Sequence, residues 1–196
     1  MNLPDRKAEF RLEARQRRRV THGDTARAAA HGVVAPGLAA VADIWRQPPG
    51  IVAGYLAVGS ELDVGPLMTA LVAHGWSLAL PVVVAPETPL VFRRWQPGDA
   101  MSEGSFGIAQ PGDDAEDIRP HVVLAPLLAF DEDGYRLGQG GGFYDRTLEK
   151  WRAEGHSVTV LGLAFAAQRV DAVPRDDFDQ RLNGIITEDG YKVYGT

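Results

Sequence analysis

Residues 136–146 read RLGQGGGFYDR, with glycine at 138, 140, 141 and 142. Glycine gives up more conformational freedom on folding than any other residue. Such a run therefore either turns the chain through positive φ angles or lets a ligand approach the backbone closely. It lies between an apolar stretch, HVVLAPLLAF over 121–130, and a segment with helical character from Tyr144 to Glu154. Unpaired N–H groups at a helix N-terminus, together with its partial positive charge, suit an anion. Phosphate binding is one reading of the run and a tight turn is the other. Neither standard fingerprint fits: there is no G-x-x-x-x-G-K-[ST], and Phe143 stands where G-x-G-x-x-G requires its third glycine.

Asp145 falls in the first turn of that helix, where a carboxylate interacts favourably with the helix dipole. Beside phosphates a bare carboxylate would repel, and Mg²⁺ resolves the conflict by binding carboxylate and phosphate oxygens together. Asp179 is the candidate second carboxylate; its alternative is an ordinary exposed loop residue. At the other end of the chain, Lys7, Arg11 and Arg15 are spaced four apart and stack on one helical face, which Arg18 or Arg19 extends. That face is either a solvated basic surface or an anion site.

The elements that must position these residues alternate. A basic helix is expected over 4–19 and an alanine-rich one over 24–45, broken by Gly32 and Pro36–Gly37. Strands are expected over 51–58, 78–84, 90–95, 121–130 and 157–165, with a short final strand over 184–187. A helix is expected over 64–74, and 173–183 reads as a charged loop. Residues 96–119 form a long polar stretch of the kind used for binding segments or lids. Apolar strands alternating with helices predict an α/β domain with a mostly parallel sheet covered by helices. The 196 residues suit one domain.

Several function classes lose support. No run approaches the roughly 18 apolar residues of a membrane span, and MNLPDRKAEF carries no apolar signal core. With no cysteine there is no disulfide and no thiolate metal site, which points weakly to the cytoplasm. The net charge of −6 argues against nucleic-acid binding despite the basic N-terminus. The histidines at 22, 31, 74, 121 and 156 show no metal-binding spacing, and no serine sits in a G-x-S-x-G elbow.

Taken together, PLLAFDEDGYRLGQGGGFYDRTL resembles the signature of the 5-formyltetrahydrofolate cyclo-ligase family. YLAVGSELD, SLALPVVV, LVFRRWQPGD, GSFGIAQP and VPRDDFDQRLNGIITEDG resemble further family segments in the same order. The resemblance implies a three-layer α/β/α fold, spanning 1–196 as a single domain. It also implies ATP-dependent conversion of 5-formyltetrahydrofolate to 5,10-methenyltetrahydrofolate, with ATP as co-substrate and Mg²⁺ as the metal. Lys7 and Arg11 would hold the ATP phosphates, with Arg136, Gly138, Gly140, Gly141, Gly142, Phe143 and Tyr144 as the nucleotide cradle. Arg136 and Tyr144 are the residues it assigns to catalysis, and Asp145 and Asp179 to Mg²⁺. Glu61 would accept from the donor edge of the pterin, Phe106 would wall it, and Gln139 would lie at the formyl end. Gln139, Phe143, Phe178 and Asn183 depart from the family's usual residues. The alternative is a diverged relative that binds nucleotide or a folate-like ligand without turnover.

Overall fold

The structure, a computed structural model, describes residues 2–194; the side chain of Phe106 lies outside the described set. From the N-terminus come α1 (Leu3–Gly32), α2 (Val34–Ile44), β1 (Ile51–Ala53), α3 (Gly65–Ala73), β2 (Ser77–Val82), β3 (Val91–Trp95), β4 (Met101–Glu103) and β5 (Ala109–Pro111). β6 (Val122–Pro126), β7 (Ala129–Phe130), β8 (Arg136–Leu137), α4 (Phe143–Ala153), β9 (Thr159–Leu163), β10 (Gly184–Thr187) and β11 (Gly190–Val193) follow.

A seven-stranded sheet runs in the order β11-β10-β9-β6-β1-β2-β3. Its five inner strands pair in parallel, and β3 and β11 close the two edges antiparallel. Alternation along the strands sends side chains to two cores. Val52, Val122, Leu124, Leu161 and Leu163 pack with Val33, Val41, Leu67 and Leu71 of the α1–α3 side. Ala53, Val123, Ala125 and Val160 pack with Leu148 and Trp151 of α4. The expected three layers are present, with α4 alone against the second face of the sheet.

The elements differ from the sequence reading in several places, and Pro36–Gly37 lie within the unbroken α2, where Pro is tolerated in the first turn. The basic helix does not stop at Arg19; α1 runs unbroken to Gly32. Gly23 in its middle faces open space, and a helix-interior glycine costs only about 1 kcal/mol. β1 ends at Ala53, well short of Val58. The 121–130 stretch is two elements: β6 ends at Pro126, and Ala129–Phe130 turns into a hairpin with Arg136–Leu137. The final strand is not 184–187 but β11, which the sequence reading missed because Tyr191–Val193 is half polar and largely exposed.

The order of strands fixes where a ligand can enter. β1 connects outward to β2 on one side, while β6 lies on its other side. A doubly wound sheet opens a crevice where its strand order reverses, beyond the strands' carboxyl ends. The two segments leaving that point are the 54–64 loop and the β7–β8 hairpin that feeds the glycine run.

One buried carboxylate secures the hairpin. Asp131, 1% exposed, accepts at Oδ1 from the N–H groups of Asp133 (3.1 Å) and Tyr135 (3.0 Å), and at Oδ2 from Val173 N–H (2.9 Å). It thus ties the turn before β8 to the loop that carries Asp176 and Asp179. Replacing it strands three donors. Asp131→Ala is expected to cost about 3 kcal/mol, since hydrogen bonds to a charged group are worth about 1.5–3 kcal/mol. Urea unfolding of the variant checks this.

Candidate active site

A cavity of about 790 Å³ opens at the switch point. Tyr55, Leu56 and Glu61 come from the loop after β1, and Pro126 and Leu127 from the end of β6. The glycine run, the start of α4, Lys7 and Arg11 of α1, and Asp176, Phe178 and Asp179 complete one end. Ser105, Ile108, Ala109 and Gln110 show that part of the long 96–119 segment forms its wall, around the small β4–β5 ribbon. The volume lies within the range of about 300–1,000 Å³ typical of ligand sites.

The glycine run is both a turn and an opening. Gly140 has φ +110° and Gly142 φ +65°, conformations that side chains disfavour. Gly142 is also the N-cap of α4 and supplies no side-chain cap. Among the described residues, the N–H groups of Gln139, Gly140, Gly141 and Gly142 donate to no protein acceptor. Carbonyls of the run at 138, 139 and 141 are held instead. Arg11 Nε donates to Gly138 O at 3.1 Å, Arg15 Nη2 to Gln139 O at 3.2 Å, and Arg146 Nη2 to Gly141 O at 2.5 Å. Arg15 Nε also donates to Gln139 Oε1 at 3.1 Å. The result is a row of free donors leading into a helix N-terminus, a natural anion receptor.

The acids around it are paired with cations. Lys7 Nζ donates to Asp176 Oδ2 at 2.7 Å and to Asp179 Oδ2 at 2.6 Å. Asp145 Oδ1 accepts from Arg136 Nη2 at 2.9 Å and from Gln180 N–H at 3.0 Å. Burial alone would pull the Lys7 ammonium down, but the two carboxylates outweigh it and hold it above its usual value. The hydrogen bond from Lys7 in turn holds the Asp176 carboxyl below its usual range. Asp179 is therefore no ordinary exposed loop aspartate.

The donor set suits Mg²⁺. Among the described residues no group of three or more His, Cys, Asp or Glu can enclose a metal. Two hard carboxylates beside a phosphate receptor match the way Mg²⁺ binds, with one or two carboxylates and phosphates and water completing its shell. Both hydrogen bonds to Asp145 fall on Oδ1, leaving Oδ2 without a described donor.

On the loop after β1, Glu61 Oε2 accepts from Val58 N–H at 3.0 Å, and Oε1 lies 3.6 Å from Arg18 Nη1. Tyr55 braces this loop by donating to Leu62 O at 2.6 Å. Tyr144 lines the same cavity. Burial, reinforced by the negative Glu61 and opposed by Arg136, pushes its phenol well above the ordinary value, so it remains a donor. Arg136 is 6% exposed and is also engaged by Gln180 O at 2.7 Å. The Phe106 side chain lies outside the described residues. Of the departures from the family's usual residues, Asn183 has a structural role, since its Oδ1 accepts from Val160 N–H at 2.8 Å. Phe178 is 74% exposed on the cavity rim.

Sequence reasoning missed two arginines. Arg146 packs over the Phe143 ring at 5.2 Å and bonds the glycine run, a spacing of one helical turn that was available to read. Arg18 was grouped with the exposed basic face, yet it is 4% exposed.

Comparison with known proteins agrees with this geometry. The model of the 5-formyltetrahydrofolate cyclo-ligase family matches residues 4–188. The chain belongs to the 5-formyltetrahydrofolate cyclo-ligase family. The match takes in both ends of the site, from the helix bearing Lys7 to the loop bearing Asp179. It is 35% identical over 141 residues to the 5-formyltetrahydrofolate cyclo-ligase of Haemophilus influenzae, covering 69% of this chain and 74% of that one. It is 36% identical over 141 residues to the Escherichia coli K12 enzyme, covering 69% and 76%. The solution structure of Aquifex aeolicus 5,10-methenyltetrahydrofolate synthetase is similar, with TM-score 0.74 and 25% identity over 95% of this chain and 92% of that one. Among the described residues no helix is long and apolar enough to cross a membrane.

The ion pairs of Lys7 give a pH signature. Their contribution through Asp176 is present above the usual carboxyl value of 3.8 and is lost as pH falls through the lowered folded value. Through Lys7 it is present below 10.5 and is lost as pH rises through the raised folded value. The difference in melting temperature between the parent chain and Lys7→Met is expected to be flat between these limits and to shrink outside both. Thermal melts across that range check it.

Proposed function

We propose that this chain converts 5-formyltetrahydrofolate and ATP to 5,10-methenyltetrahydrofolate, ADP and phosphate. The observation that carries the reading is the row of unpaired amides at 139–142 in a cavity that Lys7, Arg11 and Glu61 also line. Family membership supports the folate chemistry. The phosphate receptor supports ATP as the second substrate.

The formamide oxygen of the substrate is a poor leaving group. Transfer of the γ-phosphoryl group from ATP to that oxygen makes it a phosphate ester and releases ADP. N10 then attacks the activated carbon and loses its proton to solvent, the C–O bond breaks, and phosphate leaves as the methenyl bridge forms. Such chemistry depends on positioning and charge neutralisation more than on covalent work by side chains. The glycine amides and Arg11 orient the phosphates. Lys7 would exchange Asp176 and Asp179 for phosphate oxygens, and Asp179, so released, would hold Mg²⁺ together with Asp145, the partner of Arg136. Bound there, Mg²⁺ neutralises charge on the phosphates. Arg136 fixes Asp145 and stands at the transfer site. Tyr144, kept protonated by burial, donates a hydrogen bond near the reacting atoms. Glu61 accepts from the N–H edge of the pterin, and Gln139 is set at the formyl end by Arg15. The substrates are small molecules, nucleic acid has no place in the reaction, and the cytoplasm supplies both.

Purified protein with Mg-ATP and 5-formyltetrahydrofolate is expected to generate the absorbance of the methenyl product, and omission of Mg²⁺ to abolish it. Binding of both substrates without turnover would identify a diverged relative instead. Asp145→Asn keeps an acceptor for Arg136 and Gln180, so it is expected to fold normally while Mg-ATP use falls at least about tenfold, a loss of ~1.4 kcal/mol. Lys7→Ala is expected to raise KM for ATP well beyond any change in KM for the folate; equal rises would remove Lys7 from the phosphates.

A further inference from the structure

Glu61 sits on the cavity wall, but the residue that sets its orientation does not. Arg18 belongs to α1, 42 positions from Ser60, and lies behind the 58–62 loop rather than on the wall. Its guanidinium is spread over three groups. Nε donates to Ser60 Oγ at 3.1 Å, Nη1 donates to Leu127 O at 3.3 Å, and the same Nη1 faces Glu61 Oε1 at 3.6 Å. The side chains of Arg18 and Glu61 are only 5% and 11% exposed. A buried arginine beside a carboxylate is expensive to keep, because desolvation consumes much of the attraction. Stability alone is a weak reason for such a pair.

The distances suggest what it does instead. Glu61 Oε2 is occupied by Val58 N–H, whereas Oε1 faces Arg18 Nη1 at 3.6 Å, longer than an ordinary hydrogen bond. At 3.6 Å, Arg18 attracts Oε1 without consuming its hydrogen-bonding capacity. The carboxylate is thereby fixed at one oxygen by a backbone N–H and aimed by a charge at the other, with one acceptor left for a ligand. Leu127, whose carbonyl Arg18 holds, is itself on the cavity wall at the end of β6. Arg18 therefore links the two segments that leave the switch point.

We propose that Arg18 is a positioning residue for the folate: it acts through Glu61, holding that carboxylate ready to accept from the N–H edge of the pterin. The proposal rests on the reading of Glu61 as the folate acceptor given above. Arg18 touches neither substrate, and its effect is confined to the folate end of the cavity.

The test is a double-mutant cycle on binding and turnover, using Arg18→Met, Glu61→Gln and both together, with Arg18→Lys as the conservative variant. Arg18→Met is expected to raise Kd and KM for 5-formyltetrahydrofolate about 10- to 100-fold while KM for ATP changes less than about twofold. On a Glu61→Gln background it is expected to add less than about twofold, because residues acting through one another are not additive. Arg18→Lys is expected to recover part of the folate affinity. Should Arg18→Met not fold, Ser60→Ala carries the test: it removes the Nε acceptor without a change of charge and is expected to weaken folate binding alone, about two- to fivefold. A folate affinity unchanged in a folded Arg18 or Ser60 variant, equal losses for both substrates, or additive losses in the double variant would each overturn the proposal and leave the proposed reaction standing. If the parent chain neither binds nor converts the folate, the proposed function falls and this proposal falls with it.

Discussion

The site depends on guanidinium groups from two helices, α1 and α4, holding carbonyl oxygens of a segment that has no strand or helix partner of its own. Arg11 and Arg15 take the carbonyls of Gly138 and Gln139, and Arg146 takes that of Gly141. A glycine-rich segment left to itself would sample many conformations and satisfy its amides with water or with itself. With its acceptors engaged from outside, it keeps its donors unpaired in a fixed array. That array, continuous with the start of α4, is what a polyanion would meet. Helix α1 contributes its share through polar contacts: of its 30 residues only Ala14, Arg18, Ala29 and Ala30 are buried.

Charge balance follows the same logic. Carboxylates close to a phosphate receptor would empty it if they were bare. Here each acid is matched in the resting protein, Asp176 and Asp179 by Lys7 and Asp145 by Arg136. Under the proposed reaction, Lys7 would pass from carboxylate to phosphate as the metal takes Asp179 and Asp145, an exchange of partners rather than an addition of charge.

Much of this was legible in the chain. The glycine run, the i, i+4 basic spacing of Lys7, Arg11 and Arg15, and the existence of apolar strands within 121–130 and 157–165 all declare themselves through local chemistry. What stayed hidden was tertiary. Arg18 reads as one more cation in RRR, and only the docking of α1 over the 58–62 loop makes it a buried partner of Glu61. Gly23–Asp24 reads as a break, yet the helix continues because that face is open to solvent. β11 lacks an apolar stripe because an edge strand is half exposed, so no periodicity marked it. Asp179 reads as a surface acid because its partner is 172 positions away.

That last separation has a consequence for how the protein is made. The cationic helix is synthesised well before its anionic partners, and the acids that Lys7 grips emerge only after most of the 196 residues have been synthesised. Until then Lys7 has neither of its two carboxylates to close on. Nascent chains interrupted before residue 176 thus carry an unclosed mouth and a loose basic arm, which distinguishes an unfinished polypeptide from a finished one by its susceptibility to proteolysis at the amino terminus.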